Sequence, residues 1–276
     1  MHLFARRLTV AELADGFRSL GLGAGSHVVL HSSYKSLGPV AGGPGAVVEA
    51  LLGVIGPTGN LMVPTFTYSL PMWQVEPFDY WRSASRVGAI TETVRLMPGA
   101  VRSFHPTHSV AVVGPDAEAL VADHLAFTPI GHGSPLARMA ERGAVIVMLG
   151  TAQDTNSSLH CAEVVSGVSY VDVPFTPGQT HEVSWFLNEH GQIEYASLRQ
   201  LPGCSRGFRA AEPGLMEAGL LTAGRVGGAA CQVLPAAAAV AEVARLIAAQ
   251  PALLLCHLAN CAICPRRRAS LSAGPP

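Results

Sequence analysis

A histidine and a glutamate three positions apart are the pair of side chains best suited to chemistry in this sequence. They are His160 and Glu163, in the segment NSSLHCAE at residues 156–163. If the segment is helical, the two side chains share one face, and an imidazole beside a carboxylate is a common general-base arrangement. An ion pair on a helix surface is the alternative. Cys161 is a poor partner for His160, because adjacent helical residues point about 100° apart.

A second candidate site lies between a predicted strand and a predicted helix. Its sequence is HSSYKSLG at residues 31–38, followed by GGPG at residues 42–45. Ligands of open α/β sheets bind outside the carboxyl ends of the strands, and free N–H groups, small hydroxyls and Lys35 suit a phosphate. The pattern matches neither the Walker A sequence nor G-x-G-x-x-G, so an ordinary loop of small residues is the alternative.

Histidines and cysteines suggest two metal sites. His105 and His108 precede a predicted strand, but two histidines without a nearby third ligand are more often structural. Three of the six cysteines form a compact group with zinc-like spacing, namely Cys256, Cys261 and Cys264. Cys204 is the first candidate for a fourth ligand, and His257 is the alternative. Four protein ligands would make this a structural zinc site.

The composition indicates what kind of protein carries these groups. Of 276 residues, 49% are apolar and 13% are charged, which excludes a disordered chain and predicts a large core. Eighteen basic and nineteen acidic residues leave no electrostatic footprint for nucleic acid. No uncharged apolar run is long enough to span a membrane, and the N-terminus lacks the apolar run of a signal peptide. We therefore expect a soluble, cytoplasmic protein with reduced cysteines.

The elements that would position the candidate groups alternate between strand and helix. The apolar patterns predict helices, the first with Thr9 as its N-cap, at residues 9–20, 46–55, 88–96, 116–124, 134–141, 157–165 and 236–250. They predict strands at residues 27–31, 60–65, 109–113, 144–150, 183–187 and 193–198. This order favours one α/β domain over residues 1–265, with a central sheet and an antiparallel addition near the end. Residues 266–276 are predicted to be a polar, frayed tail.

Together these segments resemble the aminoglycoside 3-N-acetyltransferase family, the coenzyme-A-dependent antibiotic acetyltransferases. The resemblance runs in order through nearly the whole chain, in the motifs VVLHSSYKSLG (28–38), GNLMVPT (59–65), EPFD (76–79), GAITETVR (88–95), RSFHPTHS (102–109), GSPL (133–136), NSSLHCAE (156–163) and GRVG (224–227). The cysteine group resembles the tail of a subset of members. The resemblance implies an α/β domain with a central mixed sheet flanked by helices, distinct from the histone-type acetyltransferase fold.

The resemblance also implies a reaction and its residues. Acetyl-coenzyme A would donate its acetyl group to the 3-amino group of a 2-deoxystreptamine aminoglycoside, conferring resistance, and His160 would deprotonate the amine. Glu163 matches the acidic residue of the same motif and would orient His160 or hold the ammonium group of the substrate. His31 would lie close to the thioester. The coenzyme site implied by the resemblance comprises His31, Ser32, Ser33, Ser36, Leu37, Gly38, Ser109 and Ser134.

The carboxylates available for binding the substrate are few. Aminoglycosides are polycations, so their site should carry several carboxylates. The sequence offers four near the motifs: Glu76, Asp79, Asp154 and Asp172. Because this lining is thin, a different amine, such as a biosynthetic intermediate, is the alternative substrate. Two hypotheses of a different class remain, a non-catalytic module that binds coenzyme A or zinc, and a zinc hydrolase that uses His105 and His108.

Overall fold

A seven-stranded sheet between two layers of helices organises the residues that the computed structural model describes, 6–200 and 202–272. The strands are β1 (His27–Ser32), β2 (Asn60–Pro64), β3 (Phe78–Asp79), β4 (Val101–Arg102), β5 (Val110–Val113), β6 (Val145–Leu149), β7 (His181–Leu187), β8 (Ile193–Arg199), β9 (Thr222–Val226) and β10 (Ala229–Pro235). The helices are α1 (Val10–Ser19), α2 (Gly43–Ile55), α3 (Ala89–Arg95), α4 (Ala117–Val121), α5 (Pro135–Glu141), α6 (Leu159–Ser166), α7 (Glu212–Glu217), α8 (Ala236–Ala249) and α9 (Cys264–Ser272).

The central sheet is mixed, as expected. Its strand order is β4-β5-β2-β1-β6-β10-β9, and β1 runs parallel to both β2 and β6 while the outer pairings are antiparallel. Side chains of β1 alternate between the two faces: Val28 and Leu30 enter the core cluster that includes α1 and α2, whereas Val29 enters the cluster on the opposite face. Both faces are therefore covered, and the strand ends are left to carry polar groups.

The local predictions of helices and strands hold best where a capping residue or a buried strand is present. Thr9 caps α1 through a capping box with Glu12, as predicted. The predicted hairpin at residues 183–198 exists as β7 and β8, but it pairs with β3 in a separate three-stranded sheet. The antiparallel addition to the central sheet is instead the hairpin of β9 and β10, whose strands the sequence analysis did not identify.

The prediction of a frayed tail after residue 265 is wrong for its first part, because α9 extends to Ser272. Arg267 of this helix is fully buried, and its neighbours Arg266 and Arg268 donate hydrogen bonds to backbone carbonyls of other segments. These contacts stabilise α9, whose sequence is too polar to show the amphipathic pattern by which a helix is predicted. Among all helices in the described part of the chain, none has the length and apolar character required to cross a membrane.

Candidate active site

One cleft opens at the carboxyl ends of the parallel strands. β1 ends in His31 and Ser32, β2 ends in Pro64, and Thr151 follows β6, and all of these residues line the cleft. Parallel strands place their carboxyl ends at the same edge of a sheet, which is where open α/β proteins bind ligands. The remaining wall comes from the segments after β2 and β6, from the region around the start of α3 and from the loop before α7: Phe66, Tyr68, Val87, Thr91, Asp154, Thr155, Ser157 and Ser205.

Two polar atoms of the cleft wall are buried and unpaired. His31 Nε2 and Ser32 Oγ have no hydrogen-bond partner among the residues that the structure describes. Burial lowers the pKa of His31 to about 4, so its ring is neutral at pH 7. Buried polar atoms are rarely left without partners in native proteins. These two atoms therefore suit a polar ligand in the cleft.

The turn after β1 is held close to the end of β6. Ser36 Oγ lies 2.9 Å from Ser33 Oγ and 3.0 Å from the carbonyl oxygen of Gly150. Gly150 has a φ of +65°, and a Cβ there would lie 2.4 Å from Ser36 Cβ, so this close approach requires glycine. Gly38, with a φ of +86°, ends the turn. Leu37 is a core residue, so its side chain is directed away from the cleft.

His160 and Glu163 meet on α6, as the sequence spacing predicts. His160 Nδ1 lies 2.5 Å from Glu163 Oε2, and both side chains are buried. A carboxylate at Nδ1 fixes the proton on that nitrogen and leaves Nε2 with the free lone pair of a base. The ring of Phe208 packs edge-on against His160, with their centroids 4.6 Å apart. The pair is therefore a restrained buried dyad, which argues against an ion pair on the helix surface.

The second oxygen of Glu163 also has partners. Glu163 Oε1 accepts a hydrogen bond of 2.9 Å from the Tyr170 hydroxyl and lies 3.8 Å from Arg267 Nη1. The sequence analysis missed both partners. Tyr170 lies beyond the helical spacing of α6, and Arg267 lies in the segment predicted to be frayed.

The dyad lines a small cavity and is not among the residues that line the main cleft. His160 and Glu163 line this cavity together with Gly203 and Arg267. The backbone N–H of His160 donates to the carbonyl of Ser157, and Ser157 lines the main cleft. The backbone of His160 therefore lies one turn of the chain from Ser157, a residue of the main cleft wall.

Cys161 does not compete with His160 as the reactive group. Burial raises the pKa of its thiol to about 12, so the thiol stays protonated at neutral pH. Its side chain belongs to the core cluster below α6. This agrees with the sequence argument that adjacent helical residues diverge.

Two serines implied as coenzyme ligands form hydrogen bonds within the protein. Ser109 is completely buried; its hydroxyl donates to the Thr65 carbonyl at 2.9 Å and accepts from Arg102 Nε at 3.2 Å. Ser134, also completely buried, caps α5 by accepting from the Ala137 N–H. Both hydroxyls tie protein segments together, and a contact of either residue with the coenzyme stays a prediction.

The four candidate substrate carboxylates are not brought together. Asp154 alone lines the main cleft, where it lies 3.2 Å from Arg209 Nε. Glu76 and Asp79 line a separate groove beside the three-stranded sheet, and Asp79 also accepts hydrogen bonds from backbone N–H groups of its own turn. Asp172 is largely exposed and paired with Arg199.

His105 and His108 lie in a buried polar cluster with His124. His105 Nδ1 accepts from the N–H groups of Thr107 and His108, and the two nitrogens of His124 face Ser103 Oγ and the Pro129 carbonyl. Burial lowers the pKa of both His105 and His108. Within the described residues the histidines do not join any group of converging metal ligands, which disfavours the zinc hydrolase.

Four cysteines do converge, and they are the four named from the sequence. The sulfur atoms of Cys204, Cys256, Cys261 and Cys264 all lie within 4.8 Å of one another. The Sγ atoms of Cys204 and Cys256 are 3.8 Å apart, too far for a disulfide. Backbone N–H groups of Arg206 and Cys264 approach the sulfurs of Cys204 and Cys261 at 3.4 Å. Such donors are typical of the surroundings of metal-bound thiolates.

The chain is similar in sequence and in fold to aminoglycoside acetyltransferases. Aminoglycoside N(3)-acetyltransferase IV from a Salmonella species is 31% identical over 231 residues, with 81% of each chain covered. A mutant of aminoglycoside acetyltransferase AAC(3)-IVa in complex with a gentamicin has a TM-score of 0.82 at 28% identity, covering 98% of this chain and 100% of that chain. AAC-IIIb in a binary structure with CoASH has a TM-score of 0.72 at 27% identity, covering 88% and 97%. The family model described as aminoglycoside 3-N-acetyltransferase matches residues 29–248, so this chain belongs to that family of enzymes.

Proposed function

We propose that this enzyme transfers the acetyl group of acetyl-coenzyme A to the 3-amino group of a 2-deoxystreptamine aminoglycoside and so confers resistance to it. The observation that carries the proposal is the buried His160–Glu163 pair beside a cleft with unpaired polar atoms in its wall. The gentamicin complex of AAC(3)-IVa and the CoASH complex of AAC-IIIb support the choice of the two substrates.

His160 acts as the general base in the proposed reaction. An amine is protonated in neutral water and is then not a nucleophile, so a base must remove its proton. His160 Nε2 takes one proton from the ammonium group, the neutral amine nitrogen attacks the carbonyl carbon of the thioester, and the C–S bond breaks. The second proton that the nitrogen loses as the amide forms passes to solvent. Glu163 stabilises the resulting imidazolium through Nδ1. The imidazolium then protonates the leaving thiolate of coenzyme A, and no covalent acyl-enzyme is required.

His31 contributes to the coenzyme side of the cleft in this proposal. Its lowered pKa keeps the ring neutral, so it can donate a hydrogen bond to the thioester carbonyl without introducing a charge. Ser32, Ser33, Ser36 and Gly38 belong to the turn that would hold the coenzyme. The fixed approach of this turn to Gly150 supports such a role, because a preorganised turn binds a ligand with little loss of freedom.

An amine other than an aminoglycoside is the second candidate acceptor. Asp154 is the one member of the predicted carboxylate group that lines the main cleft, and Arg209 partly neutralises it. A polycation gains most from several carboxylates in its site. A less charged amine would be bound by the aromatic side chains of Phe66 and Tyr68 and by the single carboxylate.

The experiment that tests the proposal is a thiol-release assay with acetyl-coenzyme A. The acceptors are gentamicin, kanamycin, apramycin and simple diamines, and the variants are His160→Ala and its neighbour Cys161→Ser. We expect release with an aminoglycoside, a loss of about 100-fold or more in turnover for His160→Ala, and nearly unchanged turnover for Cys161→Ser. Coenzyme A should still bind to His160→Ala. Full turnover in His160→Ala would remove this residue from the mechanism, and release only with diamines would favour the second candidate.

We also propose that Cys204, Cys256, Cys261 and Cys264 hold a structural zinc ion. Tetrahedral zinc with Zn–S bonds of about 2.3 Å places its sulfurs about 3.8 Å apart, and the Cys204–Cys256 separation of 3.8 Å fits this geometry. The ion would join the loop before Arg206 to the start of α9. Metal analysis of the purified protein should find about one zinc per chain, and its absence would refute this proposal.

Two further assignments follow from these. We place the enzyme in the cytoplasm, where acetyl-coenzyme A is available and thiolates stay reduced. We also assign one acetyltransferase domain that continues through α9, since Arg267 is buried against Tyr170.

A further inference from the structure

We propose that Arg267 of α9 is a positioning residue for the His160–Glu163 dyad. It holds the carboxylate of Glu163 in one orientation, so that His160 presents Nε2 to the substrate. This inference rests on the proposed function, in which His160 is the general base.

The burial of Arg267 requires an explanation. Its side chain is 1% exposed and is the largest fully buried side chain in the described residues. Nη2 donates to the carbonyl of Val171 at 3.3 Å, and the guanidinium lies over the Tyr170 ring, 5.4 Å from its centroid. Removing a guanidinium from water costs several kcal/mol unless a counter-charge compensates it. Glu163, 3.8 Å away, supplies that charge.

The contacts of Glu163 explain what Arg267 does for the dyad. Oε2 faces His160 Nδ1, so any rotation of the carboxylate about its axis would break the contact that orients the imidazole. Oε1 is held by the Tyr170 hydroxyl and by the charge of Arg267. The hydroxyl donates a hydrogen bond that orients the carboxylate, and the guanidinium places an opposite charge 3.8 Å from Oε1. Without Arg267, the carboxylate would be a buried charge with neutral partners.

Contacts of α9 with other segments restrain the position of Arg267. Its backbone N–H bonds to the carbonyl of Ile263, and the flanking Arg266 and Arg268 fix the helix by donating to the carbonyls of Phe175 and Leu255. Gly203 lies against the guanidinium, and a Cβ there would be 2.0 Å from Nη1. A side chain at position 203 would therefore displace Arg267 from Glu163.

The test compares Arg267→Met with Arg266→Met. Arg267→Met removes the positive charge beside Glu163. Arg266→Met changes the same helix but removes hydrogen bonds to the carbonyls of Pro174 and Phe175, away from the dyad. For Arg267→Met we expect kcat to fall by about 10- to 100-fold, as for other losses of positioning, with the Kd of coenzyme A nearly unchanged. Arg266→Met should keep its kcat. Arg267→Lys keeps the charge but loses the planar fork, so its kcat should lie between those of wild type and Arg267→Met.

A second measurement does not depend on the identity of the acceptor. The proton on His160 Nδ1 should give a downfield NMR resonance, assigned by its absence in His160→Ala. We expect this resonance to shift or disappear in Arg267→Met, to persist in Arg266→Met and to be partly restored in Arg267→Lys. If Arg267→Met does not fold, the same resonance and kcat are measured in Arg267→Lys.

The outcomes separate the two proposals. A wild-type resonance in Arg267→Met, together with a kcat equal to that of Arg266→Met, would overturn the role of Arg267. If wild-type protein releases no thiol with any acceptor, the proposed function fails, while the resonance still shows whether Arg267 controls the dyad.

Discussion

Acid should destabilise this protein well before its carboxylates are protonated, because it buries neutral histidines. Burial lowers the pKa of both His31 and His124 to about 4, whereas a histidine in an unfolded chain titrates near 6.5. Below about pH 6.5 the unfolded chain therefore binds protons that the native state does not. The contribution of these histidines to the free energy of unfolding is fully present above this pH and is lost as the pH falls toward 4.

The magnitude follows from the two pKa values of each histidine. At pH 5 one such histidine lowers the free energy of unfolding by about 2 kcal/mol relative to pH 8. His31 and His124 together account for about 4 kcal/mol, and the lowered pKa values of His105 and His108 act in the same direction. This is a large part of the 5–15 kcal/mol that is typical of a folded domain.

The assay is urea unfolding at pH 8, 7, 6 and 5. The informative variant is His124→Gln, which keeps polar atoms near Ser103 Oγ and the Pro129 carbonyl and removes the ionisable ring. Its loss of stability between pH 8 and pH 5 should be smaller than that of wild type by about 2 kcal/mol. His181→Gln changes an exposed histidine of β7 and serves as the control. Parallel pH dependences for wild type and His124→Gln would refute the reasoning.

The remaining predictions concern the cysteine cluster and the coenzyme turn. If the cysteine cluster holds the proposed structural zinc ion, Cys261→Ser should lower the melting temperature strongly and release the ion, with little change in kinetics at low temperature. Calorimetry beside low-temperature assays checks this, and an unchanged melting temperature would contradict it. Gly150→Ala forces a Cβ to within 2.4 Å of Ser36 and requires a positive φ, so the KM for acetyl-coenzyme A should rise by about 10-fold, the effect of roughly 1.4 kcal/mol. An unchanged KM in a folded variant would show that the turn does not hold the coenzyme.

Local signals account for the parts of the fold that the sequence predicts well. The N-cap at Thr9 and the buried strand β1 are each specified by residues within a few positions. Sheet partners are not local. Alternation predicts the strands β7 and β8 but contains no information on their pairing with β3 instead of the central sheet. The helix α9 escapes prediction because arginine contacts with distant carbonyls stabilise it.

The same distinction applies to the site. The spacing of His160 and Glu163 predicts their contact, because three residues along a helix return the chain to the same face. Neither Tyr170 nor Arg267 could be assigned in this way, since only the folded chain brings them to Glu163. Ser134 shows the converse: its motif resembles that of a coenzyme site, while its hydroxyl caps a helix.

The contact between Gly203 and Arg267 has a consequence for how the sequence can diverge. A substitution at position 203 is tolerated only after the guanidinium has gone, since a Cβ would lie 2.0 Å from Nη1. Loss of the arginine first would leave Glu163 without its counter-charge. Among relatives, those with a side chain at the first position should therefore lack arginine at the second, and those that keep the arginine should keep the glycine.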